Sequence, residues 1–128
     1  MLIQTAQTVL QKLGYENDTE LSITLVKDSS IKKMNKNYRG KNYPTDVLSF
    51  STAPDFPVVT DYIGDIFISV ETAKKNADAD NIPFRQELIT LLVHGVLHLS
   101  GYDHENTTKE KAKKMIKKQR ELLEEVLS

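Results

Sequence analysis

Cysteine is absent from this chain of 128 residues, and so is any long uninterrupted apolar run. Without cysteine there can be no disulfide and no thiolate-ligated metal site, which suits the reducing environment of a cytoplasm. No apolar run approaches the roughly 20 residues that span a bilayer, and the first residues lack the basic start of a secretory signal. The sequence therefore predicts a cytoplasmic protein with no membrane segment.

Net charge is also small, at −1 near neutral pH, which argues against a uniformly basic surface for nucleic acid. The distribution is uneven, however. Residues 31–41 carry +5 with no acidic residue, residues 107–120 carry +6, and the remainder of the chain carries −12. Each basic run is either a patch for a polyanion or an ordinary solvated helix face. A length of 128 residues predicts one domain, residues 1–128.

Histidine is scarce but clustered, because His94, His98 and His104 are the three histidines of the chain. The first two are four residues apart, so on a helix they share one face about 6 Å apart along its axis. Gly101 can end that helix in a left-handed turn and bring His104 back as a third ligand. Three imidazoles leave one tetrahedral position open, which is typical of catalytic zinc. The alternative is three unrelated histidines that are packed or solvated.

The histidine spacing, H-x-x-x-H-x-x-G-x-x-H, is the metzincin protease pattern with one departure. Gly95 follows the first histidine, where those proteases carry the glutamate that deprotonates the zinc-bound water. A peptidase would therefore lack its general base. The run from His94 to His104 instead resembles the signature H-G-x-L-H-L-x-G-Y-D-H of the YbeY family, which are single-domain bacterial endoribonucleases that mature ribosomal RNA.

Two further segments resemble the same family. Residues 38–50 match its Y-R-G turn followed by P-T-[DN]-V-L-S-F, and residues 63–69 are similar to its L-G-D-I-x-I-S. The resemblance implies that Arg39 acts at the active site, where a planar guanidinium can donate two parallel hydrogen bonds to a phosphodiester. Without it, Arg39 would be a surface residue beside a turn. Asp65 is a candidate hydrogen-bond partner of a metal ligand or a substrate contact, or else a strand-end cap.

Hydrophobic periodicity predicts an α/β or α+β domain, with a small mixed sheet, packed helices and an antiparallel edge strand near the metal cleft. Ile31 and Met34, and at the helix end Tyr38, are expected to face inward. Pro54 and Pro57 predict a loop. The predicted strands are residues 20–26, a segment ending at Phe50, and residues 62–69. The first three predicted helices are residues 2–13, a helix from Asp28 or Ser29 through Tyr38, and residues 70–79. They are followed by the histidine helix, with Pro83 in its first turn, and by a final helix that begins after a capping box at residues 107–110. The apolar face of this final helix is predicted to contain Ala112, Met115, Ile116, Leu122, Leu123, Val126 and Leu127.

These observations lead to one functional prediction. The resemblance implies a zinc-dependent, single-strand-specific endoribonuclease that processes ribosomal RNA, chiefly the 3′ end of the small-subunit RNA, and acts in ribosome quality control. His94, His98 and His104 would hold zinc and Arg39 would bind the scissile phosphate. Asp103 is a candidate partner of an imidazole or else a solvent-facing side chain, and Tyr102 is a candidate pocket wall or core residue. Three imidazoles also suit nickel, copper or iron. The rival functions are a metallopeptidase-like hydrolase and a non-catalytic, ribosome-associated metal-binding module.

Overall fold

The computed structural model describes residues 1–51, 61–102 and 108–127, and within them the chain forms five helices and three strands. The predicted loop at residues 53–57, Asp103 and His104 lie outside these ranges. In chain order the elements are α1 (Leu2–Lys12), β1 (Glu20–Val26), α2 (Asp28–Arg39), β2 (Val47–Ser51), β3 (Tyr62–Ser69), α3 (Val70–Asp80), α4 (Phe84–Leu99) and α5 (Lys109–Leu127).

The three described strands form one mixed sheet in the order β1-β3-β2. β1 runs parallel to the central strand β3, and β2 pairs with the other side of β3 in antiparallel register, Val47 opposite Ile68 and Ser51 opposite Gly64. The predicted small mixed sheet with an antiparallel edge strand is therefore confirmed. Its three strands were also predicted within a residue or two, because strict alternation of apolar and polar residues marks a half-buried strand.

One face of the sheet is covered by α4, the most deeply buried helix of the described residues. Ile66 and Ile68 of β3 join this helix in the main core, to which α1, α3 and α5 contribute as well. Because α4 is enclosed on several sides, it is apolar around most of its circumference rather than amphipathic. Its buried residues are Glu87, Leu88, Ile89, Leu91, Leu92, Val93, Gly95, Val96, Leu97 and Leu99.

Helix α2 covers the opposite face of the sheet. Ile31 is fully buried there, as predicted, but the second buried position is Asn35. Asn35 donates from Nδ2 to the carbonyl of Tyr43 at 2.8 Å, which ties the turn after α2 back onto the helix. The expectation that Tyr38 faces inward is wrong, since 71 % of its surface is exposed. The last turn of α2 lies at the edge strand, where the Tyr38 ring contacts Phe50 and is otherwise open to solvent, so hydrophobicity alone misplaced this residue.

The N-termini of α2 and α3 hold each other in place through their side chains. The hydroxyls of Ser69 and Thr72 both donate to the carboxylate of Asp28, the latter at 2.6 Å. In return, Glu71 accepts a hydrogen bond from the backbone N–H of Asp28 at 2.9 Å. Carboxylates are favourable at helix N-termini because free N–H groups and the helix dipole meet there. These hydrogen bonds lower the pKa of the Asp28 carboxyl below its ordinary value.

The helix ends differ slightly from the predicted ones. Pro83 is the N-cap of α4 rather than part of its first turn. Thr108 caps α5 by accepting from the backbone N–H of Lys111 at 3.2 Å. On the predicted apolar face of α5, Met115 and Leu122 are buried, whereas Ile116 and Leu127 are 55 % and 40 % exposed. None of the helices in the described part of the chain is long and apolar enough to cross a membrane.

Candidate metal centre

His94 and His98 lie on one face of α4, on successive turns, as their spacing predicts. Their Nε2 atoms are 2.9 Å apart. The ring centroids are separated by 4.5 Å and the ring planes are inclined at 72°, and both side chains are half-buried. Two imidazole nitrogens on a tetrahedral zinc ion, each about 2.0–2.1 Å from the metal, stand roughly 3.4 Å apart. The observed pair is close to that separation, so these two residues fit as ligands of one ion.

Gln119 of α5 holds the ring of His94 from the other side. Its Oε1 lies 2.8 Å from Nδ1 of His94. An amide oxygen can only accept, so Nδ1 of His94 carries the hydrogen and Nε2 carries the ring's lone pair. Nε2 of His94 can then accept from Nε2–H of His98, whereas a His98 that binds a metal through Nε2 would carry its hydrogen on Nδ1. A histidine that binds a metal through Nε2 needs this tautomer, and its other nitrogen usually donates to an oxygen acceptor in this way.

Sequence reasoning missed Gln119, although its position carries a detectable signal. It lies four residues after the buried Met115 and three before the buried Leu122, on the face of α5 that packs on α4. A polar residue at a core-facing helix position needs a hydrogen-bond partner. Pairing that position with the histidine helix requires the tertiary structure, because nothing in the sequence says which part of α4 faces which part of α5.

The packing around Gly95 leaves no room for an acidic side chain after the first histidine. A Cβ atom at this position would lie 3.0 Å from Cγ2 of Ile66 and 3.2 Å from its Cδ1. Position 95 therefore faces the sheet and not the imidazoles, and the close packing of α4 on β3 leaves no space for a glutamate. A glycine inside a helix costs about 1 kcal/mol relative to alanine, which this close approach offsets. The close packing of α4 on β3 is thus incompatible with the glutamate that a metzincin protease uses as its general base.

The turn that ends α4 is built as the glycine predicts. Gly101 has a φ of 94°, and its N–H donates to the carbonyl of His98 at 3.1 Å. The hydroxyl of Tyr15 donates to Oγ of Ser100 at 2.8 Å, which anchors the end of the helix to the segment after α1. Tyr102 is half-buried and packs against the main core. It therefore packs on the core, one of the two roles predicted for it, and it also lines a cavity at the end of α4.

The third predicted ligand, His104, and the neighbouring Asp103 lie outside the described residues. Within residues 1–51, 61–102 and 108–127, no group of three histidine, aspartate or glutamate side chains is arranged to hold a metal ion. The structure thus brings together two of the three predicted ligands, and the three-histidine site remains a prediction.

Gly64 is the point where the edge strand and the histidine helix meet. A Cβ atom there would lie 2.4 Å from the carbonyl oxygen of Phe50 and 2.6 Å from Cδ2 of Leu99. Its φ of 151° also disfavours other residues. Glycine at this position therefore lets the end of β2 approach the end of α4 closely, one residue beyond His98.

Asp65 points away from the histidines. Side chains alternate along β3, and Ile66 contacts α4, so Asp65 belongs to the face covered by α2. There it accepts a hydrogen bond from the hydroxyl of Tyr62, which raises the pKa of that tyrosine. Its predicted role as the hydrogen-bond partner of a metal ligand is therefore not supported.

Arg39 is the last residue of α2 and is exposed. Gly40 caps the helix in the left-handed conformation with a φ of 70°, so Arg39 is held at a defined helix end. A second basic feature lies beside the end of α4, where Lys111 and Lys114 line a cavity of about 390 Å³ together with Ser100, Gly101 and Tyr102. Part of the basic run on α5 thus borders the end of the helix that carries the imidazoles.

Comparison with known proteins assigns the chain to a family. A sequence model described as Endoribonuclease YbeY matches residues 1–127. The chain belongs to the YbeY family. An Endoribonuclease YbeY of Persephonella marina is 45 % identical over 126 residues, covering 98 % of this chain and 81 % of the relative. That of Bacillus subtilis is 40 % identical over 129 residues, covering 92 % and 79 %.

The fold is also similar to that of a solved structure. The solution structure of TM1509 from Thermotoga maritima superposes with a TM-score of 0.65 at 34 % identity, covering 98 % of this chain and 78 % of that one. The predicted YbeY membership is therefore confirmed, and at the level of the family so is the prediction of an RNA-cleaving hydrolase.

Proposed function

We propose that the chain is a cytoplasmic, zinc-dependent, single-strand-specific endoribonuclease that processes ribosomal RNA, chiefly the 3′ end of the small-subunit RNA, and takes part in ribosome quality control. The observation that supports it best is the pair of imidazole Nε2 atoms 2.9 Å apart on α4, with the tautomer of His94 set by Gln119. Membership of an endoribonuclease family supplies RNA as the substrate class. The ribosomal substrate and the association with the small subunit rest on the family resemblance.

The proposed metal ligands are His94, His98 and His104. A zinc ion held by them would act as a Lewis acid, activating water and offsetting negative charge on a phosphate oxygen. The protein's own contribution is orientation. Gln119 holds one imidazole in the required tautomer, and the Tyr15 to Ser100 hydrogen bond fixes the end of the helix that carries both described histidines. Nickel, copper and iron remain alternatives to zinc because imidazole nitrogen suits them too.

Arg39 is the proposed phosphate ligand. Its guanidinium can form two parallel hydrogen bonds with the non-bridging oxygens of a phosphodiester, which a lysine ammonium cannot do. The surrounding segment, residues 31–41, carries five basic residues and no acidic one, so it attracts the RNA backbone to this end of α2. The fixed helix end at Gly40 reduces the conformational freedom that Arg39 would lose on binding.

The packing of Gly95 argues against the metallopeptidase. A peptidase of the metzincin type needs a carboxylate at this position, and here that position faces Ile66. The non-catalytic module makes a different prediction, namely RNA binding that survives metal removal with no cleavage under any condition.

The test is cleavage of a ribosomal RNA precursor by wild type, Arg39→Ala and Arg39→Lys, with the metal content of each preparation measured in parallel. We expect Arg39→Ala to cleave at least tenfold more slowly at unchanged metal content, on the order expected for loss of a charged contact to the reacting group. Arg39→Lys should recover part of the rate. The matched control is Lys12→Ala, on α1 and paired with Glu125, which should cleave like wild type. Full activity in Arg39→Ala would show that Arg39 is an ordinary surface residue with no role in cleavage.

A further inference from the structure

Three aromatic rings form a row from the centre of the sheet to the protein surface. Phe67 of the central strand contacts Phe50 of the edge strand, with ring centroids 5.8 Å apart and planes at 68°. Phe50 in turn contacts Tyr38 of α2 at 5.0 Å and 60°. The two phenylalanines are half-buried, whereas Tyr38 is 71 % exposed. The row thus ends in a ring that is supported from below and open to solvent.

The backbone on both sides of the exposed ring is held by hydrogen bonds, and the ring itself packs on Phe50. Tyr38 lies in the last turn of α2, and Gly40 caps this turn by donating from its N–H to the carbonyl of Lys36 at 3.0 Å. Nδ2 of Asn35 also donates to the carbonyl of Tyr43, which holds the chain after the helix. A ring whose position is set in advance loses little freedom when a flat ligand stacks on it.

The charges around this ring favour a polyanion. Lys36, Arg39 and Lys41 surround Tyr38 in the sequence within the acid-free segment 31–41. The carboxylate of Asp65, across from Phe50 on β3, is engaged by the hydroxyl of Tyr62. An exposed aromatic side chain among cations is the arrangement with which proteins bind unpaired nucleic acid, since the base stacks on the ring and the phosphates pair with the cations.

The ring lies on the α2 face of the sheet, opposite the histidine helix, so its link to the proposed site is through Arg39 and the end of β2. Tyr38 precedes the proposed phosphate ligand Arg39 directly. Phe50, on which the ring rests, has its carbonyl oxygen beside Gly64, where Leu99 at the end of the histidine helix also meets the sheet. A nucleotide stacked on Tyr38 would therefore lie next to a phosphate bound by Arg39.

We propose that Tyr38, supported by Phe50, is a stacking platform for an unpaired RNA base next to the phosphate bound by Arg39. This inference rests on the proposed function and adds to it a physical basis for preferring single strands. In a duplex both faces of each base are already stacked on their neighbours, so the platform can engage only a base that is unpaired and free to turn outward.

The test measures binding separately from cleavage. In the full-length chain carrying His98→Ala to prevent cutting, binding of a short single-stranded RNA with one 2-aminopurine is followed by anisotropy and by quenching of the fluorescent base. Tyr38→Ala should weaken binding by roughly tenfold, the effect of losing one stacked base, and should abolish the quenching. Tyr38→Phe should stay within about twofold of its parent, because every stacking interaction is kept. Phe84→Ala removes another partly exposed aromatic ring, on α4, and should change nothing.

Two ligand controls identify the source of the effect. A duplex of the same sequence, and a single strand with an abasic site in place of the fluorescent base, should bind Tyr38→Ala and its parent equally. Thermal unfolding verifies that Tyr38→Ala is folded. Equal affinity of Tyr38→Ala and its parent for the single strand would overturn the platform, as would an equal loss on duplex and abasic RNA. Cleavage by the wild type is scored separately, so an inactive wild type that still needs Tyr38 for binding would refute the proposed function and leave the platform standing.

Discussion

The hydrogen bond from His94 to Gln119 makes a quantitative prediction about metal affinity. Gln119→Leu replaces the acceptor by an apolar group of similar size, and the 2.8 Å contact that selects the Nδ1–H tautomer of His94 is lost. Removal of such a partner of a metal-bound histidine typically lowers affinity by about 10- to 100-fold. That range corresponds to about 1.4–2.7 kcal/mol of binding free energy. Gln119→Glu keeps an acceptor and adds negative charge, so it should bind the metal at least as tightly as wild type.

The assay is competition for Zn²⁺ between each variant and a chromophoric chelator at fixed pH. Gln11→Leu makes the same chemical change at an exposed position of α1 and should leave affinity unchanged. Thermal unfolding of the metal-free proteins separates loss of the ligand's orientation from loss of the fold. If Gln119→Leu and Gln119→Glu both bind Zn²⁺ as tightly as wild type, Gln119 does not orient a metal ligand and the reasoning from its contact is refuted.

Three further predictions concern the buried carboxyl, the helix-capping carboxyl and the course of the reaction. Burial raises the pKa of Glu87, a hydrogen bond from Asn76 opposes this shift, and repulsion from Asp46 and Asp80 adds to it. The free energy of unfolding should therefore fall as pH rises from below about 4.5 through the raised pKa. Glu87→Gln should remove this pH dependence and raise the free energy of unfolding by on the order of 1 kcal/mol at pH 7. The pH dependence from Asp28 has the opposite sign, because the pKa of its carboxyl is lowered in the folded state. Its stabilising contribution is present above about pH 4 and is lost as pH falls through the lowered pKa. Asp28→Asn should reduce the free energy of unfolding by about 1–2 kcal/mol at pH 7. Urea unfolding of both variants between pH 3 and 8 checks these signs, and profiles parallel to wild type would contradict them. In the reaction, the proposed metal site would use all three histidines of the chain and leave no imidazole to deprotonate a ribose hydroxyl. A 2′-deoxy nucleotide before the scissile phosphate should therefore slow cleavage only modestly, and a 2′,3′-cyclic end found by mass spectrometry would disprove this route.

Much of the fold was predictable because local patterns and tertiary packing agree in this chain. Alternation along β1 and β3, and glycines at the ends of α2 and α4, located elements to within one or two residues. The exceptions lie where packing overrides pattern. Tyr38 was expected inside because it follows Ile31 at helical spacing, but its ring contacts Phe50 of the edge strand and is otherwise largely open to solvent. Asn35 occupies the buried position instead, because its amide satisfies the backbone of Tyr43.

The candidate site was predictable in its residue types but not in its supporting contacts. The spacing of His94 and His98 predicted that their imidazoles share one helix face, and in the structure they are in contact. Gln119 could not be assigned to them, since it lies 25 residues further along the chain, and only the packing of α5 on α4 brings it within 2.8 Å of His94. For Asp65, the sequence motif suggested a contact that the described part of the structure does not contain. A polar residue in a recognised motif suggested a contact with the site, yet strand alternation turns it to the opposite face of the sheet.

The metal content of purified wild type and His98→Ala, with cleavage of a ribosomal RNA precursor by the same samples, tests the central claim most directly. Wild type should carry about one zinc ion per chain, as expected for three imidazoles around one ion, and should lose cleavage on chelation and regain it when zinc returns. His98→Ala should lose most of the metal and the cleavage while keeping its circular dichroism spectrum, because His98 is half-buried at the edge of the core and the apolar residues of α4 remain. Close to one equivalent of metal in His98→Ala, or undiminished cleavage by metal-free wild type, would contradict the account.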